Sequence, residues 1–272
     1  MSPGRKAGPR ARKSLGQHFL KDERILAAIV DALPPPGLPL IEIGPGTGAL
    51  TRELLQAGHR VVGLEIEPRM IRHLRTEFGD NPNLELHQGD ARDLDLADLV
   101  NGQDYNVAGN LPYFAANPII RRFLESPRRP RKAVVMVQKE VGKEIAASPG
   151  HMSLLGISVA VYAEADYLFD VFPEAFDPPP KVMSGVVRLI PREHPLVQNE
   201  EIESFFELVS KTFRNPRKQI HNSLSRGVWL PDGGADEALE LAGIDSTRRP
   251  ETLAVSEWLA LLAATRKVLA RA

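Results

Sequence analysis

Between Leu40 and Val137, short apolar runs alternate with amphipathic stretches, and that alternation leaves few folds open. Leu40–Ile43, Val61–Leu64, Leu84–His87, Tyr105–Ala108 and Ala133–Val137 have the length and composition of buried strands. Helical patterns lie between them: Ala49–Ala57, a segment opened by Pro68 with Met70, Ile71 and Leu74, and one following Asn117-Pro118. In the last, Asn is expected as the N-cap and Pro as the first helical residue. Strands that are apolar throughout and separated by helices predict a parallel α/β sheet covered on both faces. Upstream, Ile25, Leu26, Ile29, Val30 and Leu33 form a helical face that begins at Asp22 and stops at Pro34-Pro35-Pro36. Downstream, Tyr167–Phe172 and Val182–Ile190 flank a proline-rich loop and predict a hairpin-like addition at the sheet edge.

Beyond Pro191–Pro195 the pattern is purely helical, over Ile202–Phe213, Gln219–Leu224, Asp236–Leu241 and Leu253–Leu269. The expected organisation is a basic arm over 1–20, an α/β domain over 21–192 and a small all-helical domain over 193–272.

Four features at strand ends carry chemistry. Glu42-x-Gly44-x-Gly46-x-Gly48 sits between a strand and a helix, where glycines let backbone approach a ligand and the helix offers free N–H groups. The spacing departs from the G-x-G-x-x-G dinucleotide fingerprint. Glu65 follows 21 residues after Gly44, a position from which a carboxylate can hold ribose hydroxyls, although Glu67 is as acidic. Gly89-Asp90-Ala91 ends the third strand, and Asp90 reads either as an acceptor for an adenine amine or as an Asx turn. Asn110-Leu111-Pro112-Tyr113 ends the fourth. A side-chain carboxamide oxygen and a backbone carbonyl there could both accept N–H bonds from an aromatic amine. Proline fixes the bend, and tyrosine offers a stacking face.

The glycine turn is similar to that of class I methyltransferases, which bind S-adenosylmethionine (SAM). Asn110–Tyr113 resembles the (Asn/Asp/Ser)-Pro-Pro-Tyr motif of enzymes that methylate exocyclic amines of nucleobases. The whole chain resembles the ribosomal RNA adenine N6,N6-dimethyltransferases. Lys13-Ser14-Leu15-Gly16-Gln17-His18-Phe19-Leu20 is similar to their N-terminal motif, with His18 in place of the usual Asn. Val137–Val141 and Phe176-Asp177-Pro178-Pro179-Pro180-Lys181-Val182-x-Ser184 also match in order. The resemblance implies a Rossmann-like class I SAM-dependent methyltransferase domain followed by the helical domain. It implies that Gln17, His18, Leu20, Gly44, Gly46, Gly48, Glu65, Ile66, Asp90, Ala91 and Asn110 hold the cofactor. It further implies that Asn110, Leu111, Pro112 and Tyr113 grip a flipped adenine, with Phe176 as the second face of an aromatic sandwich. The implied substrate is 16S rRNA in a 30S subunit precursor, dimethylated at two adjacent adenines near its 3′ end. No metal is needed for such chemistry.

Charge is distributed accordingly. Lys+Arg 34 and Asp+Glu 35 nearly cancel, yet Arg5, Lys6, Arg10, Arg12 and Lys13 share a stretch with no acid. Lys211–Arg226 is similarly acid-free and holds Arg214, Arg217 and Lys218. It resembles the family's basic helix, with His221 replacing an Arg. Arg128, Arg129, Arg131 and Lys132 form a third cluster. Solvated faces explain most such runs, but three on a near-neutral chain suggest an RNA surface. Arg10, Arg12, Lys13, Arg214, Arg217 and Lys218 are the expected RNA contacts. Absence of cysteine excludes a thiol nucleophile, a disulfide scaffold and Cys-ligated metal. No apolar run is long enough to span a bilayer, so a cytoplasmic protein is expected, and nothing demands more than a monomer. Two other readings stay open: a 23S rRNA adenine dimethyltransferase of the macrolide-resistance type, and an assembly or transcription factor on a methyltransferase fold.

Overall fold

The structure is a computed structural model that describes residues 17–271. Arg10, Arg12 and Lys13 lie outside the described residues. In chain order, β1 is Phe19–Leu20, α1 Glu23–Asp31, β2 Leu40–Ile43, α2 Ala49–Gln56 and β3 Val61–Glu65. Next come α3 (Pro68–Phe78), β4 (Leu84–Gln88), β5 (Asn106–Asn110), α4 (Ala116–Glu125) and β6 (Lys132–Gln138). The chain continues through α5 (Lys139–Ile145), α6 (Leu154–Tyr162), β7 (Ala163–Val171), β8 (Phe176–Asp177) and β9 (Ser184–Pro191). Helices α7 (Ile202–Thr212), α8 (Ile220–Gly227), α9 (Gly234–Leu241) and α10 (Val255–Leu269) complete it.

The seven-stranded sheet runs β4-β3-β2-β5-β6-β9-β7. Its β4-β3-β2-β5-β6 portion is parallel, and β9 pairs antiparallel with β6. Every residue of β2 and β3 is buried, as strands covered on both faces require. Chain order moves outward from β2 to β4 and then returns to the other side of β2 as β5. That reversal is a topological switch point, where the carboxyl ends of strands splay and leave a crevice.

Local chemistry accounts for the ends of elements. Asp22 caps α1 by accepting from Arg24 N at 2.9 Å. Pro68 opens α3, where its missing N–H costs nothing. At α4 the expected cap is displaced: Ala115 is the N-cap, and Asn117-Pro118 fall inside the first turn. Ala115 N bonds to Pro112 O at 2.9 Å, so the turn from the preceding loop winds directly into the helix.

The chain divides into two units, one of residues up to 143 together with 165–191, the other of 144–164 with 192 onward. Residues 144–164, assigned to the α/β domain from sequence, fall in the same unit as the helices beyond residue 192. Helix α6 is apolar apart from Ser158 and has most of its surface to bury. It meets α7 and α10, and Gly150 N and Met152 N both donate to Glu251 O at 3.0 Å. The helical unit is otherwise built on Phe205, Leu224, Leu261 and a fully buried Trp258.

One small sheet was not legible as such. Phe19 pairs with Asp177 and Leu20 with Phe176, antiparallel, stitching the N-terminal segment to the proline-rich loop.

Candidate active site

A cavity of about 380 Å³ opens at the switch point, bounded by the carboxyl ends of β2, β3, β4 and β5 and by residues 17–20. Gln17, His18 and Leu20 line it, as do Gly44, Gly46, Glu65, Ile66, Asp90 and Ala91, and so do all of Asn110–Tyr113. Strand register explains the convergence. Ile43, Leu64 and Gly109 stand at one level, at or one residue before the ends of neighbouring strands, so the segments that follow leave the sheet together.

The glycine turn does two jobs. Gly46 has φ +55, and a Cβ there would lie 3.1 Å from the Phe19 ring, so the residue admits both the turn and the N-terminal segment over it. Gly48 also has positive φ, at +82, but a Cβ would meet Phe78 at 2.6 Å and Leu74 at 2.9 Å. It does not line the cavity, and its smallness serves the packing of α2 on α3 rather than approach to a ligand.

The acidic groups sort themselves. Glu65 is buried, and its two oxygens accept from Gly46 N at 3.0 Å and Glu67 N at 2.9 Å. Burial raises its pKa, and those N–H bonds pull the other way. Each oxygen keeps a second lone pair for a ribose hydroxyl. Glu67, equally plausible from sequence, instead pairs with Arg69 and accepts from Gln17 Nε2 at 2.8 Å. Asp90 is engaged as well. It accepts from Arg92 N at 2.9 Å as an Asx turn and faces the cavity. The Arg92 guanidinium, 2.6 Å away, holds its carboxyl below the usual range. Glu42 is wholly buried, accepts from Thr51 Oγ1 at 2.6 Å and has its pKa pushed up to about 7 by burial and by Glu65.

At the end of β5, beside the glycine turn, Asn110 Nδ2 donates to His18 O at 3.0 Å. That bond fixes which end of the carboxamide is which, and Oδ1 accepts nothing from the described residues. The His18 ring lies 6.1 Å from the Tyr113 ring at 24°. Its Nδ1 is 2.8 Å from Pro178 O, which only accepts, so the proton is on Nδ1. Leu111 is buried and anchors the loop, and its N donates to Met136 O at 3.0 Å.

Phe176 departs from expectation. It is 1% exposed, belongs to the core cluster with Leu20, Leu26 and Ile29, and does not reach the cavity. Its pairing opposite Leu20 turns the side chain into the core, so it offers no face to a base beside Tyr113. Two aromatic residues not singled out do line the cavity: Phe19, and Phe114, which is 63% exposed. An aromatic immediately after Tyr113 was the available signal for the second.

The arrangement fits SAM. Glycine backbone can lie against its amino-acid end, and the Glu65 and Asp90 carboxylates line the same cavity as acceptors that a ribose hydroxyl and an adenine amine could use. Among the described residues no cluster of three or more His, Asp or Glu side chains could hold a metal, and no helix is long and apolar enough to cross a membrane. Arg214, Arg217 and Lys218 are exposed on the turn before α8, without ion-pair partners among the described residues.

The sequence model described as ribosomal RNA adenine dimethylase matches residues 8–266. Ribosomal RNA small subunit methyltransferase A of Desulfitobacterium hafniense (strain DSM 10664 / DCB-2) is 40% identical over 267 residues, covering 97% of this chain and 95% of that protein. The protein of the same name from Geobacter metallireducens is 39% identical over 261 residues, 93% and 95% of the two chains. A dimethyladenosine transferase from Plasmodium falciparum superposes with a TM-score of 0.78 at 27% identity, over 92% of this chain and 98% of that one. The 23S rRNA methyltransferase ErmE gives 0.72 at 28% identity, over 91% and 99%. With a methyltransferase crevice on one side and near full-length likeness on the other, the chain belongs to the ribosomal RNA adenine dimethylase family of SAM-dependent enzymes.

Proposed function

We propose that this protein dimethylates N6 of two adjacent adenines near the 3′ end of 16S rRNA within a 30S precursor, as a monomer in the cytoplasm and without a metal. The observation that carries the reading is the Asn110 carboxamide, oriented by His18 O at 3.0 Å so that Oδ1 is left to accept. The adenine N6 lone pair is delocalised into its ring and is a poor nucleophile. Asn110 Oδ1 and a loop carbonyl accept the two N6–H bonds and favour a tetrahedral nitrogen with its lone pair freed. Pro112 keeps the loop bent and contributes no competing N–H. Tyr113 stacks on the flipped base and stabilises its developing positive charge. Gln17, His18, Leu20, Gly44, Gly46, Glu65, Ile66, Asp90 and Ala91 hold the cofactor. Bound SAM supplies an electrophilic methyl group on a sulfonium. Arg214, Arg217 and Lys218, with Arg10, Arg12 and Lys13, meet RNA phosphates.

The small subunit is favoured over the large one by the names and coverage of the relatives at 39–40% identity. Purified enzyme is expected to methylate undermethylated 30S subunits and not naked 23S RNA. The reverse preference overturns the assignment. Mass spectrometry of rRNA from cells lacking the protein should show the missing dimethyladenosines at their place in the sequence.

A further inference from the structure

Tyr113 is held at both ends. One face of its ring lies toward His18, and its hydroxyl is 2.7 Å from Ser184 Oγ. Ser184 is fully buried and opens β9 opposite Gln138 of β6. The loop's other end is fastened to the neighbouring strand β6, since Asn110 pairs with Met136 and Leu111 N donates to Met136 O. The four residues are therefore slung between two fixed points of one sheet. Ser184 does not line the cavity, so any influence it has on transfer passes through Tyr113.

A phenylalanine would present the same stacking face, so the hydroxyl must answer another need. It sits on the axis of the ring, where a hydrogen bond leaves ring flips free and resists the swing about χ1. That swing is the motion that would carry the ring off a base. A partner on a sheet strand is also more precise than one on a loop.

We propose that Ser184 is a positioning residue for Tyr113, holding the ring against the target base during methyl transfer. This rests on the reading of Tyr113 as the stacking residue. The test is a double-mutant cycle with Ser184→Ala, Tyr113→Phe and both together, plus Ser184→Thr as the conservative variant. The substrate is whichever of undermethylated 30S subunits and naked 23S RNA the unsubstituted enzyme methylates. An error about the subunit then shows in the unsubstituted enzyme, and an error about Ser184 shows only in the cycle.

The expected result is that Ser184→Ala lowers kcat about tenfold, the effect of losing one hydrogen bond in the transition state. SAM affinity and melting temperature stay close to the starting values, and Ser184→Thr restores most of the rate. In the Tyr113→Phe background, Ser184→Ala should cost nothing further. The proposal is overturned by an unchanged kcat in Ser184→Ala, by an equal loss in the Tyr113→Phe background, or by a fall in SAM affinity that matches the fall in rate.

Discussion

The glycine-turn wall and the Asn110 wall face one cavity but keep their polar groups in opposite states. On the first, Glu65 is engaged by two backbone N–H groups and Asp90 by its own turn and Arg92. On the second, the carboxamide of Asn110 is tied by its nitrogen and open at its oxygen. A wall that only binds can be satisfied in advance, because spare lone pairs suffice for a ligand. A wall that must pull on a reacting amine needs an acceptor kept vacant and rigid.

That contrast breaks most readily at Asn110. Asn110→Ala should cut methyl transfer about 100-fold or more, as loss of one preorganised hydrogen-bonding group does elsewhere. Isothermal calorimetry should show nearly unchanged SAM binding. If binding falls with rate, the two walls do not divide labour as described.

Phe176 pairs with Leu20 and packs in the core, supporting the segment that carries His18. Phe176→Ala should destabilise the protein by about 3–5 kcal/mol, the usual cost of emptying a core phenylalanine. Thermal unfolding measures it. A stable variant with lost turnover would restore the aromatic-sandwich role expected from the motif.

Glu65→Ala should act on the glycine-turn wall. It should weaken SAM binding by about 2 kcal/mol, because the ligand loses an acceptor and Gly46 N–H loses its partner. Transfer at saturating SAM should change little.

Glu42 sharpens the comparison through pH. Its folded pKa of about 7 stands above the ordinary 4.5. Between those values the folded state retains a proton that the unfolded chain has released, so stability declines as pH rises through the window. Glu42→Gln should flatten that decline, by roughly 2–3 kcal/mol between pH 5 and 8. Melting temperatures across that range are the measurement, and an unaltered slope would mean Glu42 is ionised throughout.

The parallel sheet was readable because each strand is an apolar run closed by a turn, and the α7–α10 helices because their periodicity is plain. What escaped was set by packing across the chain. Asn117 looks like a cap, yet the turn from Pro112 starts the helix earlier. Gly48 resembles a ligand-contact glycine, yet the crowding comes from Leu74 and Phe78. Phe176 carries a family motif, but its direction is decided by pairing with Leu20, more than 150 positions away, and no local pattern encodes that.

The same pairing has a consequence for biosynthesis. The His18 side of the cavity is pinned by Phe176, Asp177 and Pro178, so a nascent chain cannot assemble it until those residues have emerged from the ribosome. Loop closure over that span is slow relative to local helix formation. The glycine turn and its flanking strands can form early during translation, while closure of the His18 side arrives late, only after Pro178 has been added and exposed.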